Sequence, residues 1–311
     1  MSQLKEFTFP SDTGNNTIHA VKCVPDGQPR GIVQIAHGIT ERVSVYEEFM
    51  HFLADNGFIA VGNDHLGHGL SAKDESEIAF FSDENGWEHA LKDMDTLHDM
   101  TVKEHGAEVP YIFFGHSMGS FLTRSYLIKY PEKADMAVLC GTGHQSRIKL
   151  TAARNLSNNI VRIKGAKFVS ERLYKLVFGT SSKNSNESGE KKKNWLTRDT
   201  QALKKFKEDP SVGFVPTASL FRDLFDGMLL MTDSDNIAQM KKDTPVLFIS
   251  GDDDPVGEFA EGVIRAYEAF RKAGMTSAKV ILYPGAKHEL ICETNKDEII
   301  KDVLNWIESN I

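Results

Sequence analysis

With 311 residues, 41% of them hydrophobic and 26% charged, the chain carries enough apolar material to bury a large core, in one big α/β domain or two smaller ones. Its formal net charge of −8 excludes a general nucleic-acid binder, because neutralising phosphates requires a basic surface. Three cysteines (Cys23, Cys140 and Cys292) show neither zinc-site spacing nor a disulfide framework, and the N-terminal MSQLKEFTFPSD lacks an apolar signal core, so the sequence predicts a cytoplasmic protein without a structural metal.

Taken in chain order, short apolar runs at 17–24, 31–37, 58–64, 111–115, 136–141, 245–251 and 279–285 predict strands. Several are unbroken and rich in Val and Ile, the pattern of parallel strands buried on both faces. Between and after them, YEEFMHFLADNG, 88–104, 118–130, 258–273 and 296–308 repeat apolar residues at helical spacing. No run is long enough for a membrane span, which needs about 18 apolar residues. Strands alternating with helices predict a mostly parallel, doubly wound α/β sheet.

The alternation breaks between about 143 and 235, where the pattern is helical and irregular. This divides the chain into a first core part (1–142), a helical cap or lid insertion (143–235) and a second core part (236–311). Residues 144–235 hold 17 Lys and Arg against 10 Asp and Glu, a net of +7, whereas the remainder holds 19 against 34, a net of −15. Within it, GTSSKNSNESGEKKKN (179–194) reads as a flexible polar loop. The basic balance describes either a solvated face or a peripheral contact with anionic lipid.

Residues 115–119 read GHSMG, between a predicted buried strand and a predicted helix. Gly-x-Ser-x-Gly in that context is the pattern of a nucleophile elbow, in which a sharp turn lifts the serine to the N-terminus of the helix. A serine nucleophile needs a base, and the base needs a carboxylate to orient it. His288 follows the last predicted strand and is the candidate base. His116 is rejected, because neighbouring side chains at such a turn point apart. Three carboxylates, Asp252, Asp253 and Asp254, follow the strand at 245–251, and spacing does not choose among them. An oxyanion hole needs two backbone N–H groups. Met118, after the serine, is one candidate. Ile39, in the loop His37-Gly38-Ile39-Thr40-Glu41 after the strand at 31–37, is the other, and His37 reads as a structural hydrogen-bonding residue.

AHGITERVSVYEEF, NDHLGHGLS, GHSMG, GDDDPVG and GAKHEL, in this order and spacing, resemble the monoacylglycerol lipase and lysophospholipase branch of the α/β-hydrolases. NWLTRD followed by DPSVGF is similar to the cap of bacterial members described as lysophospholipases. The resemblance implies an α/β-hydrolase fold with an inserted helical cap and selects Asp254, so that the catalytic set is Ser117, Asp254 and His288. It supports Ile39 and Met118 as oxyanion donors, gives Glu41 the task of bracing their loop, and makes Asp64, His65 and His68 mainly architectural. It also implies acyl-ester hydrolysis through an acyl-enzyme, with a small-molecule acyl ester as substrate and no metal or organic cofactor. Two positions depart from mammalian members: Arg42 replaces a histidine, and the insertion has no cysteine.

Overall fold

The computed structural model describes residues 3–179 and 194–311; most of the polar stretch predicted as a loop, 180–193, lies outside the described residues. Eight strands form one sheet: β1 (Leu4–Pro10), β2 (Thr17–Cys23), β3 (Gly31–Ala36), β4 (Phe58–Asn63), β5 (Tyr111–His116), β6 (Met136–Cys140), β7 (Val246–Gly251) and β8 (Ala278–Tyr283). Their order is β1-β2-β4-β3-β5-β6-β7-β8. The β1–β2 and β2–β4 pairings are antiparallel, and all the others are parallel. This is the mostly parallel α/β sheet that the alternation predicts.

Seven of the eight strands coincide with the apolar runs. β3, β4, β5, β6 and β7 are buried at every position, so each reads as an unbroken hydrophobic stretch. The sequence reading misses β1, an edge strand with only Phe9 fully buried, whose exposed Lys5, Glu6 and Thr8 dilute the apolar signal. Side chains along β5 alternate between two cores. Tyr111 and Phe113 join one, with Trp87, Leu122, Phe221 and Phe270. Ile112 and Phe114 join the other, with Tyr46, Phe49, Val303 and Trp306.

The helices over these faces are α1 (Glu47–Asp55), α2 (Gly86–His105), α3 (Met118–Lys129), α9 (Glu261–Lys272) and α10 (Lys296–Glu308). Between β6 and β7 the described residues form α4 (Arg147–Lys164), α5 (Glu171–Phe178), α6 (Thr200–Glu208), α7 (Ala218–Thr232) and α8 (Ser234–Ile237). Side chains cap the N-termini of all five: Ser146 for α4, Ser170 for α5, Asp199 for α6, Thr217 for α7 and Asp233 for α8. Among the described residues, no helix is long and apolar enough to cross a membrane.

Two features position the site. β3 and β5 are neighbours, yet the chain proceeds outward from them on opposite sides, to β4 and to β6. Their C-terminal ends therefore flank the topological switch point, where open α/β sheets form their crevice. The region between β6 and β7 is also fastened to the core. Arg124 of α3 is fully buried and donates to the carbonyls of Gly143 and Met231, at 2.8 and 3.3 Å. Gly227 of α7 packs so tightly on α2 that an added methyl group would overlap the Trp87 indole. Gly227→Ala should cost about 1–3 kcal/mol through this overlap, read as a lower urea midpoint with an unchanged denaturant slope.

Candidate active site

β5 ends at His116 and α3 begins at Met118, so the chain must turn within one residue. Ser117 makes the turn at φ 51°, ψ −120°, a conformation that costs a non-glycine residue about 1–3 kcal/mol. The turn is held by the Ser117 N–H, which donates to Cys140 O at 3.0 Å, and by the Ser117 carbonyl, which accepts from Ser120 N and Oγ. Methyl groups at Gly115 or Gly119 would overlap each other's segment or the Ala36 carbonyl. Both glycines are thus required by close approach between α3 and the ends of β3 and β5.

Of the three aspartates after β7, Asp252 and Asp253 are exposed and Asp254 is fully buried. Asp254 Oδ2 lies 2.9 Å from Nδ1 of His288, which is itself buried. Its other oxygen accepts from Val256 N at 2.8 Å. Gly141, at the end of β6, leaves room for the imidazole: a methyl group there would sit 3.1 Å from His288 Nδ1. With Nδ1 on the carboxylate, His288 Nε2 is left without a partner among the described residues.

The loop after β3 lies beside the serine, and a methyl group on Gly38 would come within 3.1 Å of Ser117 Cβ. Glu41 fixes this loop. Its Oε1 accepts from the Gly38 N–H, from Tyr46 Oη at 2.9 Å and from His116 Nδ1 at 3.0 Å. The N–H groups of Ile39 and Met118 have no acceptor among the described residues. His37 is buried and bridges two loops, with Nδ1 against Gly38 O at 2.8 Å and Nε2 accepting from His65 N at 2.9 Å. Asp64 ties three segments together by accepting from Val43 N and Leu70 N and pairing with His19 Nδ1 at 2.9 Å. Burial keeps the rings of His37, His65 and His68 neutral.

His116 has a different electrostatic fate. Burial disfavours its charged form, but Glu289 and Glu41 outweigh that effect and raise it to about 9. Glu41 is correspondingly held below the ordinary carboxylate range against its own burial, chiefly by His116. Burial pushes the nearby Glu289 up to about 7. A ring already protonated at neutral pH cannot serve as a base. His116, His288 and Glu289 lie close enough together to reach one ion, but the rings already meet Glu41, Asp254 and the His288 carbonyl.

A cavity of about 700 Å³ opens over Ser117. Ile39, Met118 and Phe121 line its core side, and Leu150, Leu156, Leu176, Leu224, Phe225 and Met228 line it from α4, α5 and α7. A second cavity, about 660 Å³, lies between α1, α6 and α10 and includes none of Ser117, Asp254 and His288.

The model of the Hydrolase_4 family, described as serine aminopeptidase S33, matches residues 27–295. The chain belongs to this family. The Hydrolase_4 chain is 26% identical over 312 residues to a monoacylglycerol lipase of Mycolicibacterium smegmatis, covering 100% of this chain and 99% of the relative. It is 24% identical over 292 residues to the monoglyceride lipase of Saccharomyces cerevisiae, covering 90% and 85%. Among solved structures, a thermostable carboxyl esterase from Bacillus coagulans in complex with glycerol superposes with a TM-score of 0.91 at 24% identity, over 99% of both chains, and shares the fold.

Sequence reasoning did not find three neighbours of the site. Glu289 was hidden because its relation to His116 is tertiary. Gly141 carries no local signal, because the room that it leaves is for the ring of a residue distant in sequence. Trp195 lies in a quoted motif, but nothing local tells that it meets His288.

The attraction of His116 to Glu289 and Glu41 makes stability depend on pH. His116 titrates near 9 when folded, against about 6.5 unfolded. Its contribution is therefore complete below about pH 6.5 and is lost as pH rises through about 9. His116→Gln should lower the melting temperature at pH 6.5 and make its fall between pH 6.5 and 9.5 shallower than in the wild type.

Proposed function

We propose that the protein is a serine hydrolase of carboxylic esters, acting on acyl esters such as monoacylglycerols or lysophospholipids. The observation that carries this reading is the buried Asp254–His288 pair, 2.9 Å apart, packed against His116, the residue before the strained Ser117, which lines an apolar cavity. The relatives named as monoacylglycerol lipases support an acyl glycerol as substrate class.

In this mechanism His288 Nε2 takes the proton from Ser117 Oγ while Asp254 holds Nδ1–H and orients the ring. Ser117 Oγ attacks the ester carbonyl carbon, and the oxygen that becomes negative accepts from the N–H groups of Ile39 and Met118. Collapse breaks the bond to the alcohol, which leaves with the proton from His288. Water, deprotonated by the same ring, then attacks the acyl-enzyme and releases the acid. Met118 is the first residue of α3, so the helix dipole favours the developing charge. Glu41 occupies the Gly38 N–H, which leaves Ile39 as the open donor of that loop.

Residues 143–235 act as the cap. The apolar residues that α4, α5 and α7 present to the cavity support this, and they form the wall against which an acyl chain would lie. α4, α5 and the segment between them also expose Ile148, Ile163, Phe168 and Val169, with Lys164, Lys167 and Arg172 exposed in the same stretch of chain. Exposed apolar side chains accompanied by basic ones suit an anionic lipid surface.

Ser117→Ala and His288→Ala should each lower kcat on p-nitrophenyl octanoate at least about 1,000-fold, and Asp254→Asn by a similar factor. In the wild type, kcat/KM should rise from the acetate to the octanoate. Equal activity of the wild type and Ser117→Ala would remove the proposed mechanism, and a maximum at acetate would make the enzyme a short-chain esterase.

Binding to vesicles containing phosphatidylglycerol should be stronger than to neutral phosphatidylcholine vesicles, and should weaken between about 50 and 500 mM salt as charges are screened. Sedimentation that does not change with salt or lipid charge would remove the lipid contact.

A further inference from the structure

His288 does not stand on its own loop alone. The segment Asn194–Asp199, which belongs to the insertion between β6 and β7, runs alongside residues 287–295. The Glu289 N–H donates to Leu196 O at 2.7 Å, the His288 N–H reaches Trp195 O at 3.4 Å, and Lys287 Nζ donates to Asn194 O at 2.5 Å. Thr197 Oγ1 donates to Cys292 O at 2.8 Å. The strongest link is ionic. Glu293 is buried and accepts from Arg198 Nε at 2.9 Å and Arg198 N at 3.2 Å, and from Lys287 N at 2.8 Å, while Arg198 Nη2 reaches Asn295 Oδ1 at 2.6 Å. A buried carboxylate with this many donors holds its partners in one geometry.

The effect is to fix one side chain against the imidazole. The rings of Trp195 and His288 have centroids 5.2 Å apart and planes inclined at 42°. Asp254 holds the ring at Nδ1, and His116 packs against it with centroids 4.8 Å apart. We propose that Trp195 is a positioning residue for His288, holding the imidazole on Asp254 and offering its indole to the positive charge that the ring acquires as Ser117 is deprotonated. This rests on the reading of His288 as the base.

The argument is one of distance and timing. A cation within about 6 Å of an aromatic centroid is attracted to the ring face, most strongly for tryptophan. The charge on His288 exists only from the proton transfer to the departure of the alcohol, so the interaction lowers the barrier rather than tightening substrate binding. Trp195 does not line the cavity over Ser117, so substrate affinity should not depend on it. The insertion would then contribute to the chemistry as well as covering the substrate.

The test compares Trp195→Leu, Trp195→Phe and His288→Ala on p-nitrophenyl octanoate, with the melting temperature of each. Trp195→Leu should lower kcat about 5- to 10-fold, the range expected for loss of a partly buried cation–π contact, with KM within twofold of the wild type. Trp195→Phe, which keeps an aromatic face, should recover most of that loss. If Trp195→Leu also melts markedly lower, the comparison rests on Trp195→Phe, whose kcat should then lie near the wild type. Unchanged kcat in Trp195→Leu, a loss confined to KM, or an equally large loss of kcat in both variants would overturn the proposal. Activity retained by His288→Ala would show instead that the underlying assignment of the base is wrong.

Discussion

The turn at Ser117 can exist only because no side chain grows from Gly115 or Gly119. The first would meet the start of α3 and the second the carbonyl at the end of β3, so any larger residue would push the helix off the sheet. With both absent, α3 packs on β3 and β5 closely enough to force the intervening residue into a strained left-handed turn. The strain is offset by hydrogen bonds at both ends of the residue, from Ser117 N to the end of β6 and from Ser120 to the Ser117 carbonyl. Parallel pairing aligns Ala36, Gly115 and Leu139 in one row, so the loops after three adjacent strands converge on the serine. The remaining groups of the site are loop residues at the same edge of the sheet.

Two buried carboxylate–imidazole pairs sit behind that edge, and their surroundings give them different tasks. In the Glu41–His116 pair both ring nitrogens are engaged, by Glu41 and by the His288 carbonyl. The carboxylate also holds Gly38 N–H and Tyr46. This pair links the loop after β3 to the loop after β8 and is held charged, so it works as an internal brace. In the Asp254–His288 pair only Nδ1 is engaged by the carboxylate, which leaves Nε2 for the proton traffic of the proposed mechanism. The histidine adjacent to Ser117 is thus a brace, while the proposed mechanism gives the role of base to His288, 171 residues from that serine in sequence.

Most of the sheet was legible because burial on both faces removes polar residues from the strands. β1 was not, because an edge strand with exposed side chains carries no such run. The serine was legible because the steric demand of its turn is written as two glycines at fixed spacing. The choice among Asp252, Asp253 and Asp254 was not open to spacing. What separates them is burial and a contact with a residue 34 positions away. The same holds for Trp195, whose meeting with His288 is a contact across 93 positions, in a segment tied down by Arg198 and the buried Glu293, that no local pattern announces. Local sterics and periodic burial leave a sequence signature, whereas single long-range contacts do not.

The central claim is that Ser117 is the activated nucleophile, and an active-site fluorophosphonate tests it most directly. Intact-protein mass spectrometry and peptide mapping after brief exposure should find one phosphonyl adduct, on the peptide containing Ser117. The adduct should be absent in Ser117→Ala and should form far more slowly in His288→Ala. No adduct, an adduct on another residue, or labelling at the wild-type rate without His288 would contradict the account.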